Sequence, residues 1–159
     1  MPLWLRISAT EWMEWAGGPS WDVAESIELA KRLPAAGVDL LDVSSGGNNA
    51  QQRIDISTYY QVDMAGRIRD ALRAAGSTLL IGAVGFITEA EMAQSIVQER
   101  PPAPGAGDGG GPCGTIEVEQ DEAGQKTQAD VVLLARQLLR EPEFPLRAAH
   151  ELGVAVQWP

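Results

Sequence analysis

The chain has one cysteine, Cys113, and one histidine, His150, in 159 residues. A single cysteine excludes an internal disulfide framework, and the cytosol is the expected compartment. No apolar run approaches the length of a membrane-spanning helix. The first residues lack a basic stretch followed by a long apolar core, so no secretory leader is expected. Basic residues are also scarce: 12 Lys and Arg stand against 22 Asp and Glu, a formal net charge of -10. That balance speaks against a general nucleic-acid or anionic-membrane surface, which needs clustered cations. It leaves room for a local anion site built on backbone amides.

What the chain does have is rhythm. Four apolar runs recur, each ending in a polar or glycine-rich signature: Leu3–Ser8, Val38–Gly47, Leu79–Gly85 and Val131–Arg136. They are rich in Val, Leu and Ile and do not alternate, as strands buried on both faces do. Amphipathic stretches separate them. The first is expected over Trp21–Ala35, capped by Ser20, with Val23, Ile27 and Ala30 on one face. The second lies within Tyr60–Ala75, with Ala65, Ile68, Leu72 and Ala75 inward. The third begins at Thr88, which has capping-box spacing to Glu91. The fourth covers Pro145–Leu152. Gly37, Gly76 and Gly153 follow three of these as left-handed stops. Strands joined through helices are most simply parallel. The fold class expected is therefore α/β, an array of four parallel βα units.

One segment breaks the pattern. Residues 101–128 form an expected insertion before the last strand: a Gly/Pro-dense loop over Pro101–Gly114, then an exposed hairpin or arm at Thr115–Glu119.

Parallel α/β folds place ligands at the carboxyl ends of their strands, and several residues there can carry chemistry. Arg6 sits inside an apolar strand. It is either the partner of a carboxylate such as Asp42 or a clamp on an anionic or electron-rich ligand. Ser44-Ser45-Gly46-Gly47 follows the second strand, as a ligand loop or an ordinary Gly-rich turn. Gly82-Ala83-Val84-Gly85 offers small residues where backbone amides can approach a phosphate. Ala135-Arg136-Gln137 follows the fourth strand and opens a short helix-like segment, a second element of a phosphate site. His150 reads as a surface or packing residue, and Cys113 lies in a loop without a nearby histidine. Trp12, Trp15 and Trp21 surround a Gly-Gly-Pro turn and read as packing or interface residues.

Taken in order, Leu5–Trp12, Gly37–Gly47, Gly82–Gly85 and Ala129–Pro142 resemble the Old Yellow Enzyme family. The match is nearest to the branch of fungal and bacterial xenobiotic reductases. The resemblance implies a (β/α)8 TIM barrel of which residues 1–159 are the C-terminal half. It also implies FMN as cofactor, NAD(P)H as reductant and an electron-poor alkene as small-molecule substrate. By the same resemblance, Arg6 contacts the pyrimidine side of the flavin and stabilises negative charge on the reduced ring. Ser45 and Gly46 lie near the flavin or ribityl chain. Gly82, Val84, Gly85, Ala135 and Arg136 hold the FMN phosphate. The family's proton donor and substrate-gripping histidines belong to the first half of the barrel. The expectation is thus a fragment with little activity of its own. The alternatives are a non-catalytic half-barrel that binds flavin or phosphate, or an interaction module that self-associates or pairs with an N-terminal half-barrel. A different phosphate-binding barrel enzyme is disfavoured by Arg6 and the Ser44–Gly47 loop.

Overall fold

The structure, a computed structural model, describes residues 1–99 and 126–156. The loop expected at Pro101–Gly114, the arm at Thr115–Glu119 and Cys113 lie outside the described residues. No described helix is long and apolar enough to cross a membrane.

Among the described residues, four strands form one sheet: β1 (Trp4–Ser8), β2 (Leu40–Ser44), β3 (Leu80–Val84) and β4 (Val131–Leu133), in spatial order β1-β2-β3-β4. All neighbours are parallel. Helices alternate with them: α1 (Val23–Ala30), α2 (Tyr60–Ala74), α3 (Ala90–Val97), α4 (Arg136–Arg140) and α5 (Phe144–Glu151). This is the α/β architecture of half a (β/α)8 barrel.

Helices cover one face of the sheet. Leu41, Val43, Ile81 and Ala83 point there and are fully buried against Val62, Ala65, Ile68 and Leu72 of α2 and their neighbours. Each large side chain buried this way contributes about 1.5–3 kcal/mol. The other face corresponds to a barrel interior, and it is largely open. Trp4 is 61% exposed and Leu80 44%. The expectation of strands buried on both sides therefore holds for central β2, where Leu40 and Asp42 are buried as well. It does not hold for β1, and in β3 it holds at Gly82 but not at Leu80.

The α1 cap is Asp22, not Ser20. Asp22 accepts from the Glu25 N–H at 3.0 Å and donates its own N–H to Glu25 at 3.2 Å, a reciprocal box. The helix stops at Ala30, and Pro34–Ala36 forms a separate 3-10 turn. Thr88 caps nothing. α3 starts at Ala90 without a side-chain cap, and the Thr88 carbonyl instead accepts from Arg147. Ala75, expected inward, is exposed past the end of α2. The three glycine stops do adopt positive φ at Gly37, Gly76 and Gly153.

Strand β4 has only three residues, all half-buried. A charged latch at its foot fixes its place. Asp130 accepts from Arg69 Nε at 3.1 Å, from Arg73 Nη2 at 2.8 Å and from the Ile81 N–H at 2.8 Å. In return the Asp130 N–H donates to the Ile81 carbonyl at 2.8 Å. Arg69 and Arg73 stand one turn apart on α2, so one helix face grips the carboxylate twice. Burial pushes the Asp130 carboxyl up. The Ile81 N–H and the two guanidinium groups outweigh that and hold it below its ordinary value of 3.8. A carboxyl depressed in the folded state stabilises above its unfolded pKa and loses that contribution as pH falls through the lowered folded value. Asp130→Asn is expected to cost about 2 kcal/mol at pH 7. The gap to the wild type should close as the pH falls through the lowered Asp130 value, measured by urea denaturation of both proteins across pH. A gap independent of pH would refute the ionic latch.

Candidate functional site

A cavity of about 320 Å³ lies at the carboxyl ends of β3 and β4. Val84, Gly85, Ala135 and Arg136, all expected at a phosphate site, line it together. Sequence reading missed two further lining residues that shape it, Gln61 and Arg140.

Gln61 is 7% exposed, in the first turn of α2. Its Oε1 accepts from the Ser45 N–H at 3.1 Å and from Ser44 Oγ at 3.2 Å. Its Nε2 donates to the Val84 carbonyl at 3.1 Å. One amide thus fastens the loop after β2 to the end of β3. The room for it is at Gly85. A Cβ there would lie 2.4 Å from Gln61 Nε2, and φ is +113°. The space left by the missing side chain is therefore filled by Gln61. A signal for this residue was present: Gln61 shares the apolar stripe of Ala65, Ile68 and Leu72, and a polar residue on such a stripe needs partners inside.

Arg136 opens α4 and Arg140 follows one turn later, so both reach the cavity wall. The i, i+4 spacing of the two arginines was the available signal for Arg140. In a chain of net charge -10, two guanidinium groups at one cavity mark it for an anion. The nearby carboxylate Glu141 is engaged elsewhere. Arg147 binds it through Nε at 2.5 Å and Nη2 at 3.0 Å, and Gln137 donates to it at 2.8 Å. The Arg147 hydrogen bond holds the Glu141 carboxyl below its ordinary range, and in turn Glu141 and Glu151 push the Arg147 guanidinium up. Arg147 Nη2 also donates to the Thr88 carbonyl at 3.2 Å. From behind the cavity, one cation ties the loop after β3 to the end of α4.

The other expected residues lie elsewhere. Arg6, Asp42 and Gly82 are in register across β1, β2 and β3. Arg6 Nε donates to Asp42 Oδ2 at 2.5 Å, so the carboxylate partner foreseen as one option is present. Gly82 sits within β3 and not at its end, and a Cβ there would fall 2.4 Å from Leu133 Cδ1. Ser45 and Gly46 lie beside the cavity, not in its lining. Their N–H groups are spent on Gln61 and on the Thr10 carbonyl, and the Gly46 carbonyl accepts from Ser8 Oγ at 2.7 Å. His150 is exposed on α5.

An aromatic row spans the same rim. Tyr60 lies 6.1 Å from Trp12 and 6.0 Å from Phe86, ring centre to ring centre. Trp12 and Phe86 are the non-glycine residues with positive φ among those described, at 57° and 50°. Backbone in this sparsely populated region persists only where packing holds it, and it clusters at ligand sites. Of the other tryptophans, Trp15 carries the Arg53 guanidinium over its ring at 3.8 Å, and Trp21 Nε1 donates to Ser26 Oγ.

No protein-family model matches the chain. Curated relatives do. It is 32% identical to the NADPH dehydrogenase of Bacillus velezensis over 158 residues, 99% of this chain and 36% of that protein. It is 34% identical to the NADPH dehydrogenase of Halalkalibacterium halodurans, with the same coverage of both chains. An NADH:flavin oxidoreductase of Gibberella zeae is 38% identical over 105 residues, 61% of this chain and 25% of that protein. The chain belongs to the Old Yellow Enzyme family. It spans about a third of the length of the NADPH dehydrogenases it matches. For this family member, Gln61→Ala is expected to lower stability by about 2 kcal/mol, because it strands the half-buried Ser45 N–H and Val84 carbonyl. Denaturant titration measures the loss. Unchanged stability would show that the Gln61 bridge holds nothing.

Proposed function

We propose that this chain is the FMN-binding half of an NAD(P)H:flavin oxidoreductase of the ene-reductase type. The cavity walled by Arg136 and Arg140 at the ends of β3 and β4 carries this reading. A phosphate monoester is a dianion with several acceptor oxygens, and paired guanidinium groups are its natural donors. The site fits such a group in charge, and it lies where parallel α/β barrels bind phosphate. Arg6 supports the ring end of the same ligand, because its half-exposed side chain stands on the inner face of the sheet. Gly85, Val84 and Ala135 shape the phosphate end; Ser45 and Gly46 form the adjoining rim; Gly82 stays in the sheet layer with Arg6. When bound, FMN supplies the hydride chemistry between NAD(P)H and an electron-poor alkene. The protein supplies position and charge. A chain with one cysteine suits a reducing, cytoplasmic setting.

Titration of the purified chain with FMN, followed by flavin fluorescence, tests this reading. Arg136→Ala is expected to weaken binding roughly tenfold, the worth of one charge-assisted hydrogen bond. NADPH-dependent reduction of a cyclic enone should be slight or absent for the chain alone. Absence of any flavin binding would remove the reading.

A second reading concerns partners and rests on the open inner face. Trp4 and Leu80 are 61% and 44% exposed, and among the described residues no strand lies beside the outer edges of β1 and β4. Such surfaces associate. The chain pairs with another half-barrel or, without one, with itself. Sedimentation at micromolar concentration is expected to show dimers or larger species for the wild type and a shift toward monomer for Trp4→Glu. A monomeric wild type would refute self-association.

A further inference from the structure

The pair between Arg6 and Asp42 is lopsided. The Asp42 side chain is 6% exposed and that of Arg6 is 56%. The only bond between them runs from Arg6 Nε to Asp42 Oδ2. A structural Arg–carboxylate pair gains most when two parallel N–H···O bonds form. Here the second oxygen, Oδ1, is buried with no hydrogen-bond partner among the described residues. On the other side, Arg6 Nη1 and Nη2 make no hydrogen bond or ion pair among the described residues. A buried carboxylate with one idle oxygen is a poor device for stability alone.

Its surroundings favour a different role. Nε is the guanidinium nitrogen nearest the backbone, and a grip there leaves Nη1 and Nη2 without a partner of their own among the described residues. Gly82 leaves the space next to Asp42 free of its own side chain, and Leu133 and Leu40 occupy that space. Apolar neighbours keep the carboxylate dry and strengthen its hold on Nε.

We propose that Asp42 is a positioning residue. It holds Arg6 by Nε so that Nη1 and Nη2 face the open inner side of the sheet, toward an electron-rich ring. It also moderates the positive charge that Arg6 offers there. The role rests on the flavin reading above. Two consequences separate aim from charge. Asp42→Asn keeps an oxygen for Nε but removes the negative charge, so Arg6 stays aimed and presents more positive charge. Asp42→Ala removes the aim as well.

The experiment compares wild type, Asp42→Asn, Asp42→Ala and Arg6→Ala as FMN-loaded full chains. Dye-equilibration titration reads the preference for reduced over oxidised FMN. Asp42→Asn is expected to raise that preference about tenfold, a rise of about 30 mV for two electrons. Asp42→Ala is expected to lower it toward the Arg6→Ala value. Loss of packing alone would move both Asp42 variants in the same direction. The Asn side chain is isosteric, so its comparison with wild type stands even where Asp42→Ala does not fold. A readout without flavin accompanies it: the Arg6 Nε–H resonance in 15N NMR should be slow to exchange in wild type and Asp42→Asn and broadened in Asp42→Ala. FMN uptake with equal preferences in wild type and both Asp42 variants overturns the role of Asp42 alone, as does an Nε–H signal indifferent to Asp42→Ala. If the wild type takes up no FMN, the flavin reading fails and this role fails with it.

Discussion

The ligand end of this chain depends on where β4 lies, and β4 is too short to decide that for itself. Three half-buried residues give it few ladder bonds and little apolar burial. Asp130 makes up the deficit with three acceptor contacts to α2 and β3, placing Val131 beside Gly82 and Leu133 beside Val84. A one-residue slip would turn every side chain of the strand to the other face. Ala135 and Arg136 would then leave the rim they share with Gly85. The foot of the sheet thus sets the geometry of its head.

Charge is distributed with the same economy. The chain is strongly acidic overall, yet Glu141, next to the lining residue Arg140, and Asp42, across from Arg6, are each bound. Glu141 belongs to Arg147 and Gln137, and Asp42 faces Arg6. Arg136 and Arg140 are left to set the local field at the cavity. A net charge says little about a site when the neighbouring anions are individually neutralised.

The sheet was legible because its signals are local. Apolar runs, amphipathic spacing and three glycines in left-handed conformation gave the element order and the strand neighbours. Caps were less so: Ser20 and Thr88 have the right side chains, but Asp22 and Glu25 form the tighter reciprocal box at α1, and Arg147 draws the Thr88 carbonyl away. The cavity was half legible. Val84, Gly85, Ala135 and Arg136 follow strands and could be named. Gln61 precedes its strand by a whole helix, and only the fold brings it to Val84. Likewise the sequence offers Arg6 and Asp42 as possible partners but cannot say that one oxygen stays idle.

The Gln61 bridge has an evolutionary consequence. The amide of Gln61 occupies the volume that a side chain at 85 would need. Drift at these two distant positions is therefore not independent. A side chain at 85 would have to displace the Gln61 amide from its partners and also adopt a backbone that L residues rarely hold. The two sites should covary as a pair among relatives. Where Gly85 has been replaced, the loop after β2 must have found another anchor.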